Sequence, residues 1–151
     1  MGEGITIRLA TGKDTDAIRE CARQAYGKYV ERIGKPPAPM LADFKGMVAA
    51  GNIHLLEHRG SFAGYVTAFA LDGDWHLDSV AILPQHRGAG LGRMLIGHAE
   101  ELGRKGGYSR ITLYTNAKMT ENLSYYPKLG YAETGRRTED GYDRVFFAKP
   151  L

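Results

Sequence analysis

Eight residues, Gln85 to Gly92 (QHRGAGLG), place glycines at 88, 90 and 92, with Arg87 just before them and Arg93 just after. An apolar, strand-like run ends ahead of this stretch, and a helical pattern starts within it. A strand, a bare turn and a helix start make an anion site. The first helical N–H groups lack partners and carry partial positive charge, and glycine lets a ligand approach the backbone and permits positive φ. Arg87 and Arg93 sit where the helix dipole disfavours a cation by about 0.3–1 kcal/mol each, a cost that a bound polyanion would offset. Two other phosphate motifs fail. A P-loop needs lysine followed by serine or threonine after its last glycine, whereas Gly92 precedes Arg93 and Met94. A dinucleotide fingerprint steps its glycines by two and three, not two and two, and usually opens its domain. Tight helix–strand packing would also use glycines, but it leaves the two arginines without a purpose.

The elements that must hold this turn are legible in outline. ITIRLA (Ile5 to Ala10) alternates as a strand. Thr11 or Asp14 caps one amphipathic helix whose apolar positions run from Ile18 to Ile33 and which ends near Gly34. KPPAP (Lys35 to Pro39) reads as extended loop, and MLADFKGMVAAG as a short helix stopped by Gly51. NIHLLEH, FAGYVTAFAL and WHLDSVAIL are strands joined by turns at RGS and DGD and closed by Pro84. A helix from about Ala89 to Lys105 packs through Leu91, Leu95, His98 or Ala99, and Leu102. SRITLYT is a strand, MTENLSYYPKLG a helix capped by Thr120, and YAETGRRT and YDRVFFAK form a hairpin at EDG. There is no repeat and no linker, so residues 1–151 read as one α/β domain.

Composition narrows the partners. Twenty lysines and arginines against 17 acids give a net charge of +3, mild enough for an anionic small ligand and too weak to argue for nucleic acid. The hydrophobic share of 43% and charged share of 25% are those of a globular protein. The single cysteine, Cys21, allows no internal disulfide and sits among alanines as a small buried residue. No signal-like segment opens the chain and no run has membrane-helix length, so a cytoplasmic protein without a membrane partner is expected. The histidines form no metal-ligand spacing with each other or with Cys21, and no metal is expected.

QHRGAG also matches the pattern glutamine or arginine, two residues of any kind, glycine, any residue, then glycine or alanine. With SVAIL before it and YYPKLGY (Tyr125 to Tyr131) downstream, the chain resembles the GNAT superfamily of N-acetyltransferases over essentially its whole length. The resemblance implies a single-domain fold with a mixed, mostly antiparallel central sheet of six to seven strands flanked by about four helices. It implies acetyl-CoA as co-substrate, bound by Gln85, Arg87, Gly88, Ala89, Gly90, Leu91, Gly92 and Arg93, with its diphosphate on the amides of about Arg87, Gly88, Gly90, Leu91 and Gly92 and its pantetheine arm along the backbone of Val80 to Ile82. It places Tyr126 beside the sulfur as general acid. Many relatives carry asparagine seven residues before that tyrosine; here Met119 stands there, and neither Asn116 nor Asn122 takes its place.

The base is less determined. By period-two geometry His76, Asp78 and Val80 share one strand face. If that face looks into the cleft, His76 or Asp78 takes the amine's proton; otherwise they are a polar pair facing solvent. The acceptor site is expected from the N-terminal helices and residues 31–40, with Tyr26, Tyr29 and Met40 lining it, joined by Tyr125 and the hairpin around Asp140. Two readings stand: an N-acetyltransferase acting on a small-molecule or peptide amine by direct attack in a ternary complex, and a non-catalytic acyl-CoA-binding or sensing module of the same fold. The final strands pair across a two-fold axis in some relatives, which leaves a homodimer open.

Overall fold

The structure, a computed structural model, describes residues 4–151. Seven strands form one sheet: β1 (Ile5–Leu9), β2 (Ile53–His58), β3 (Ser61–Leu71), β4 (Asp74–Ile82), β5 (Arg110–Asn116), β6 (Ala132–Glu139) and β7 (Tyr142–Pro150). Their spatial order is β1-β2-β3-β4-β5-β7-β6. Only β4 and β5 run parallel; every other pair is antiparallel. The expected hairpin turns are present. Arg59–Gly60, Asp72–Gly73 and Asp140–Gly141 each hold two successive residues at positive φ, the conformation whose twist matches antiparallel strands.

Five helices flank the sheet: α1 (Thr15–Tyr26), α2 (Tyr29–Ile33), α3 (Phe44–Ala49), α4 (Leu91–Lys105) and α5 (Thr120–Lys128). The single helix expected up to Gly34 is therefore two. The break falls at Gly27, where a Cβ would lie 2.6 Å from the Arg23 carbonyl oxygen, a crowding that glycine avoids. The next backbone bond tightens to Val30 N–H on Gly27 O at 3.2 Å. Gly34 ends α2 in the left-handed conformation, as expected. Two starts differ from expectation. Ala38–Leu41 form a separate 3-10 turn, and α3 begins only after Asp43, whose carboxylate accepts the Gly46 N–H at 3.1 Å. Thr120 is the first residue of α5 and Met119 occupies the cap. No helix among the described residues is long and apolar enough to cross a membrane.

The core has two halves. α4 and α5 cover one face through Leu91, Leu95, Ile96, Ala99 and Tyr126, packed on Leu77, Ile111, Leu113, Val145 and Phe147. Of the alternatives on α4, Ala99 rather than His98 is buried. α1 and α3 cover the other face through Ile18, Cys21, Ala22 and Phe44 against Ile53, Leu55, Tyr65 and Ala81. Burial pushes the Cys21 thiol up to about 12, which suits a core residue and not a nucleophile.

Two irregularities of β4 shape everything that follows. Against β3 the register passes from Thr67↔Ser79 to Ala68↔Leu77, leaving Asp78 as an extra, unpartnered residue. Against β5 the ladder holds only at Trp75↔Ile111 and His76↔Thr112. Beyond that point the two parallel strands diverge, and the edge of β4 from Leu77 to Ile82 has no β5 partner.

Candidate active site

The divergence of β4 from β5 opens a cleft through the sheet, continuous over three cavities. The first, about 250 Å³, lies between the strands under Pro37, Ala38 and Pro39, with Asp78, Tyr114, Asn116 and Arg144 in its wall. The second, about 590 Å³, runs between Ala25–Tyr29 and α5 along Val80, Ala81 and Ile82. The third, about 410 Å³, lies over His86–Gly92 and is bounded by Arg93, Tyr125 and Lys128. Tyr26, Val80, Asn122 and Tyr126 border both of the first two cavities and form the neck between them. Ile82, Arg87, Gly92, Tyr125 and Lys128 border both of the last two.

The glycine turn has the form its composition suggests. Pro84–His86 make a 3-10 turn, Gly88 and Gly90 stand at φ 85° and 75°, and α4 starts at Leu91. A Cβ at Gly88 or Gly90 would meet nothing within 4 Å, so these glycines serve the backbone conformation and leave open space above it. The first helical bond is Met94 N–H to Gly90 O at 3.2 Å, and the amides of residues 88–93 donate to no backbone or side-chain acceptor among the described residues. The Arg87 amide differs from expectation, since it already donates to Pro84 O at 3.3 Å. Gln85 and Ala89 are exposed and border none of the three cavities. Leu91 has its side chain in the core, so only its main chain is available to a ligand. Arg87, Arg93 and Lys128 are exposed and form no salt bridge among the described residues. A turn with free amides, open space and three uncompensated cations suits a diphosphate.

At the neck, Tyr26 donates from its hydroxyl to the Val80 carbonyl at 2.7 Å. Tyr126 faces it from α5, 7% exposed, its ring 5.7 Å from Tyr131 and 6.1 Å from Phe147. The Tyr126 hydroxyl has no protein partner among the described residues. Burial raises both phenols, so each keeps its proton throughout the neutral range. Tyr125 borders the second and third cavities, at their junction. Tyr29 borders the second cavity and donates to Glu121 at 3.2 Å. Glu121 also accepts from Arg32 at 2.6 Å, and that hydrogen bond, with help from Tyr29, draws its carboxyl down to about 2. This ion cluster ties α2 to α5 across the second cavity.

The bulge overturns one expectation about the base. Trp75 and Leu77 pack on the α4 side, and so do Val80 and Ile82, because the extra residue shifts the alternation. His76 therefore lies on the opposite face from Val80, 3% exposed, stacked near Phe69 and Tyr114 with Nδ1 3.2 Å from Thr112 Oγ1. It does not border the cleft. Asp78 does, and its Oδ1 lies 3.5 Å from His76 Nε2. Met40 also falls elsewhere, in a shallow site with Asp16, Arg19, Glu20 and Arg23. The 3-10 turn carries it outward, and Met47 of α3 lines the cleft instead.

Sequence reasoning gave no role to Lys128, Tyr142 or Arg144 and left Asn122 and Met119 unplaced. Asn122, whose Nδ2 donates to Thr115 Oγ1 at 3.0 Å, is one helical turn from Tyr126, a spacing that puts both on one face. Lys128 stands three residues from Tyr125 and shares its face by the same rule. Tyr142 and Arg144 alternate on β7, so their common side was readable, though not that it borders the cleft. Met119 is buried in the wall. Among the described residues no group of three or more histidine, cysteine or acidic side chains is placed to hold a metal.

Known proteins share this fold and part of this sequence. A stretch of this chain is 35% identical over 71 residues to peptidyl-lysine N-acetyltransferase YjaB of Salmonella typhimurium, covering 47% of this chain and 46% of the relative. The chain thus spans about half the length of that relative. In solved structures the fold is shared with the PaiA N-acetyltransferase of Thermoplasma acidophilum in complex with coenzyme A, at TM-score 0.77 and 17% identity over 97% of this chain and 99% of that one. It is shared as well with the ribosomal-protein-S18-alanine N-acetyltransferase of Escherichia coli, at TM-score 0.72 and 22% identity over 97% and 93%. The model of the acetyltransferase (GNAT) family matches residues 16–131, which contain the bulged strand, the glycine turn and the tyrosine helix, and the chain belongs to that family.

Proposed function

We propose that the protein is an acetyl-CoA-dependent N-acetyltransferase that acetylates a primary amine by direct attack within a ternary complex. The observation that carries this reading is the neck. There the open edge of β4 and the protonated Tyr126 stand between a cavity ending at an anion site and a smaller cavity whose wall holds Asp78. Acetyl-CoA supplies an acetyl thioester. The turn amides of residues 88–93, with Arg87, Arg93 and Lys128, hold the diphosphate, and the main chain from Val80 to Ile82 guides the arm toward the neck.

The chain's own residues then have three tasks. Asp78 takes a proton from the acceptor's ammonium, directly or through water, because a protonated amine has no lone pair. A free backbone N–H on the open edge of β4 donates to the carbonyl oxygen as it gains charge. The amine nitrogen bonds to the acyl carbon, the C–S bond breaks, and its electron pair leaves on sulfur. Tyr126 donates a hydrogen bond to that sulfur. A buried phenol is a weaker acid than a thiol of pKa about 8.5, so it stabilises the thiolate more than it transfers a proton outright. The balance is ammonium plus thioester to amide, thiol and one proton. His76 orients Asp78 from behind. Thiol release on mixing acetyl-CoA with a panel of amines tests the reading. Amine-dependent release with matching acetylated product supports it; tight coenzyme A binding with no release for any amine would leave a binding module instead.

A further inference from the structure

We infer that the acceptor is a small monoamine on an apolar or aromatic body, rather than an amino acid, a diamine or the lysine of a protein; the inference rests on the transferase reading and adds the substrate class. It follows from the charges in the cavity beyond the neck. Only two charged side chains, Asp78 and Arg144, line it. Arg144 is committed: its Nη1 lies 3.2 Å from Glu139 and 3.5 Å from Asp140, and its guanidinium stacks 4.2 Å from the Tyr114 ring. With two acids already beside it, Arg144 offers little uncompensated charge to a carboxylate on the acceptor. Asp78 is not committed. Its side chain is 18% exposed and accepts no hydrogen bond among the described residues, and its one neighbour of opposite potential charge is His76 at 3.5 Å. It is the one place in this wall where a cation is electrostatically welcome.

The rest of the wall carries no charge: apolar side chains such as Pro37, Pro39, Met47 and Leu77, tyrosine rings, and the polar Ser79, Thr115, Asn116 and Asn122, the last three already hydrogen-bonded within the protein. A second ammonium would lie in this wall without a counter-charge, its desolvation offset by no second acid. The mouth is also tied. Tyr142 donates to the Pro36 carbonyl at 2.6 Å, and Lys35 Nζ lies 4.1 Å from the Tyr142 ring, so the proline segment is held to β7 across the opening. The cavity's volume of about 250 Å³ is below the about 300–1,000 Å³ of pockets for drug-sized ligands, which suits a small body.

The test uses matched pairs at saturating acetyl-CoA, read by thiol release. 2-Phenylethylamine and phenylalanine differ by one carboxylate; 3-methylbutylamine and 1,4-diaminobutane differ chiefly by one ammonium; a lysine-containing peptide is the fifth acceptor. The expected result is kcat/KM at least tenfold higher for each monoamine than for its charged counterpart and for the peptide. Phenylalanine or the diamine within threefold of its partner, or the peptide ahead of both monoamines, would overturn the inference. A second measurement needs no turnover: calorimetric binding of 2-phenylethylamine to the coenzyme A-saturated protein. Asp78→Asn is expected to weaken it at least tenfold, and an unchanged affinity, or no binding to the unaltered protein, would overturn the assignment. A protein that binds coenzyme A yet releases no thiol with any amine defeats the transferase reading, while the calorimetric arm still decides the ligand class.

Discussion

Removing one oxygen at the neck should separate catalysis from binding and from folding. Tyr126→Phe keeps the ring that packs against Tyr131 and Phe147 and deletes a hydroxyl with no protein partner, so stability should change by less than about 0.5 kcal/mol. Coenzyme A affinity should stay within threefold, since the proposed diphosphate site lies at the far end of the cleft. What is lost is a hydrogen bond to a sulfur that carries charge only as the thioester breaks. Bonds to charged groups contribute about 1.5–3 kcal/mol, so kcat should fall about 10- to 150-fold. Because burial raises the Tyr126 phenol, the donor is protonated from pH 6 to 9 and the loss should be constant across that range. A continuous thiol-release assay with the fastest acceptor, alongside calorimetry for coenzyme A, measures both quantities. A variant with kcat within twofold of the unaltered protein, in single-turnover conditions where chemistry is observed directly, would refute the role given to Tyr126. So would a loss that appears only in coenzyme A affinity.

Three further outcomes follow from the geometry. Gly90→Asp places a carboxylate in the open space above the turn, and aspartate tolerates left-handed backbone better than most residues, so the protein should remain folded and lose coenzyme A affinity at least about 100-fold by calorimetry. Gly27→Ala should lower the thermal midpoint by roughly 2–6 °C, the reverse of the usual gain from alanine in a helix, because its Cβ would press on the Arg23 carbonyl; a raised midpoint in a thermal melt would contradict the account of the helix break. His54 and His98 stack 4.9 Å apart, and burial lowers both below the usual histidine value. The unfolded chain therefore takes up protons first, and stability present above about pH 6.5 should fall as pH drops below it. His98→Leu should flatten the melting-temperature slope between pH 7.5 and 5.5, and an unaltered slope would count against this pair.

The glycine turn and the hairpins were legible because each depends on a few adjacent residues. Gly88 and Gly90 announce positive φ, and the Asp72–Gly73 and Asp140–Gly141 pairs announce tight turns wherever they occur. The bulge at Asp78 was not legible, because it is a property of two strands in register and β3 carries no mark of it. That one extra residue moved His76 to the far face and brought Asp78 into the cleft. The divergence of β4 and β5 is equally non-local, and with it the places of Asn116, Tyr142 and Arg144. Met40 and Met47 are interchangeable to a periodicity argument; only the 3-10 turn at Ala38–Leu41 decides which of them points inward. Gly27 lay inside an apolar pattern that continued across it, so the pattern concealed the break.

The most direct test is a crystal structure with coenzyme A bound. The account predicts the diphosphate within hydrogen-bonding reach of main-chain N–H groups between Gly88 and Arg93, with the arm against Val80 to Ile82 and the sulfur near the Tyr126 hydroxyl. A nucleotide seated elsewhere, leaving those amides to solvent, would contradict it.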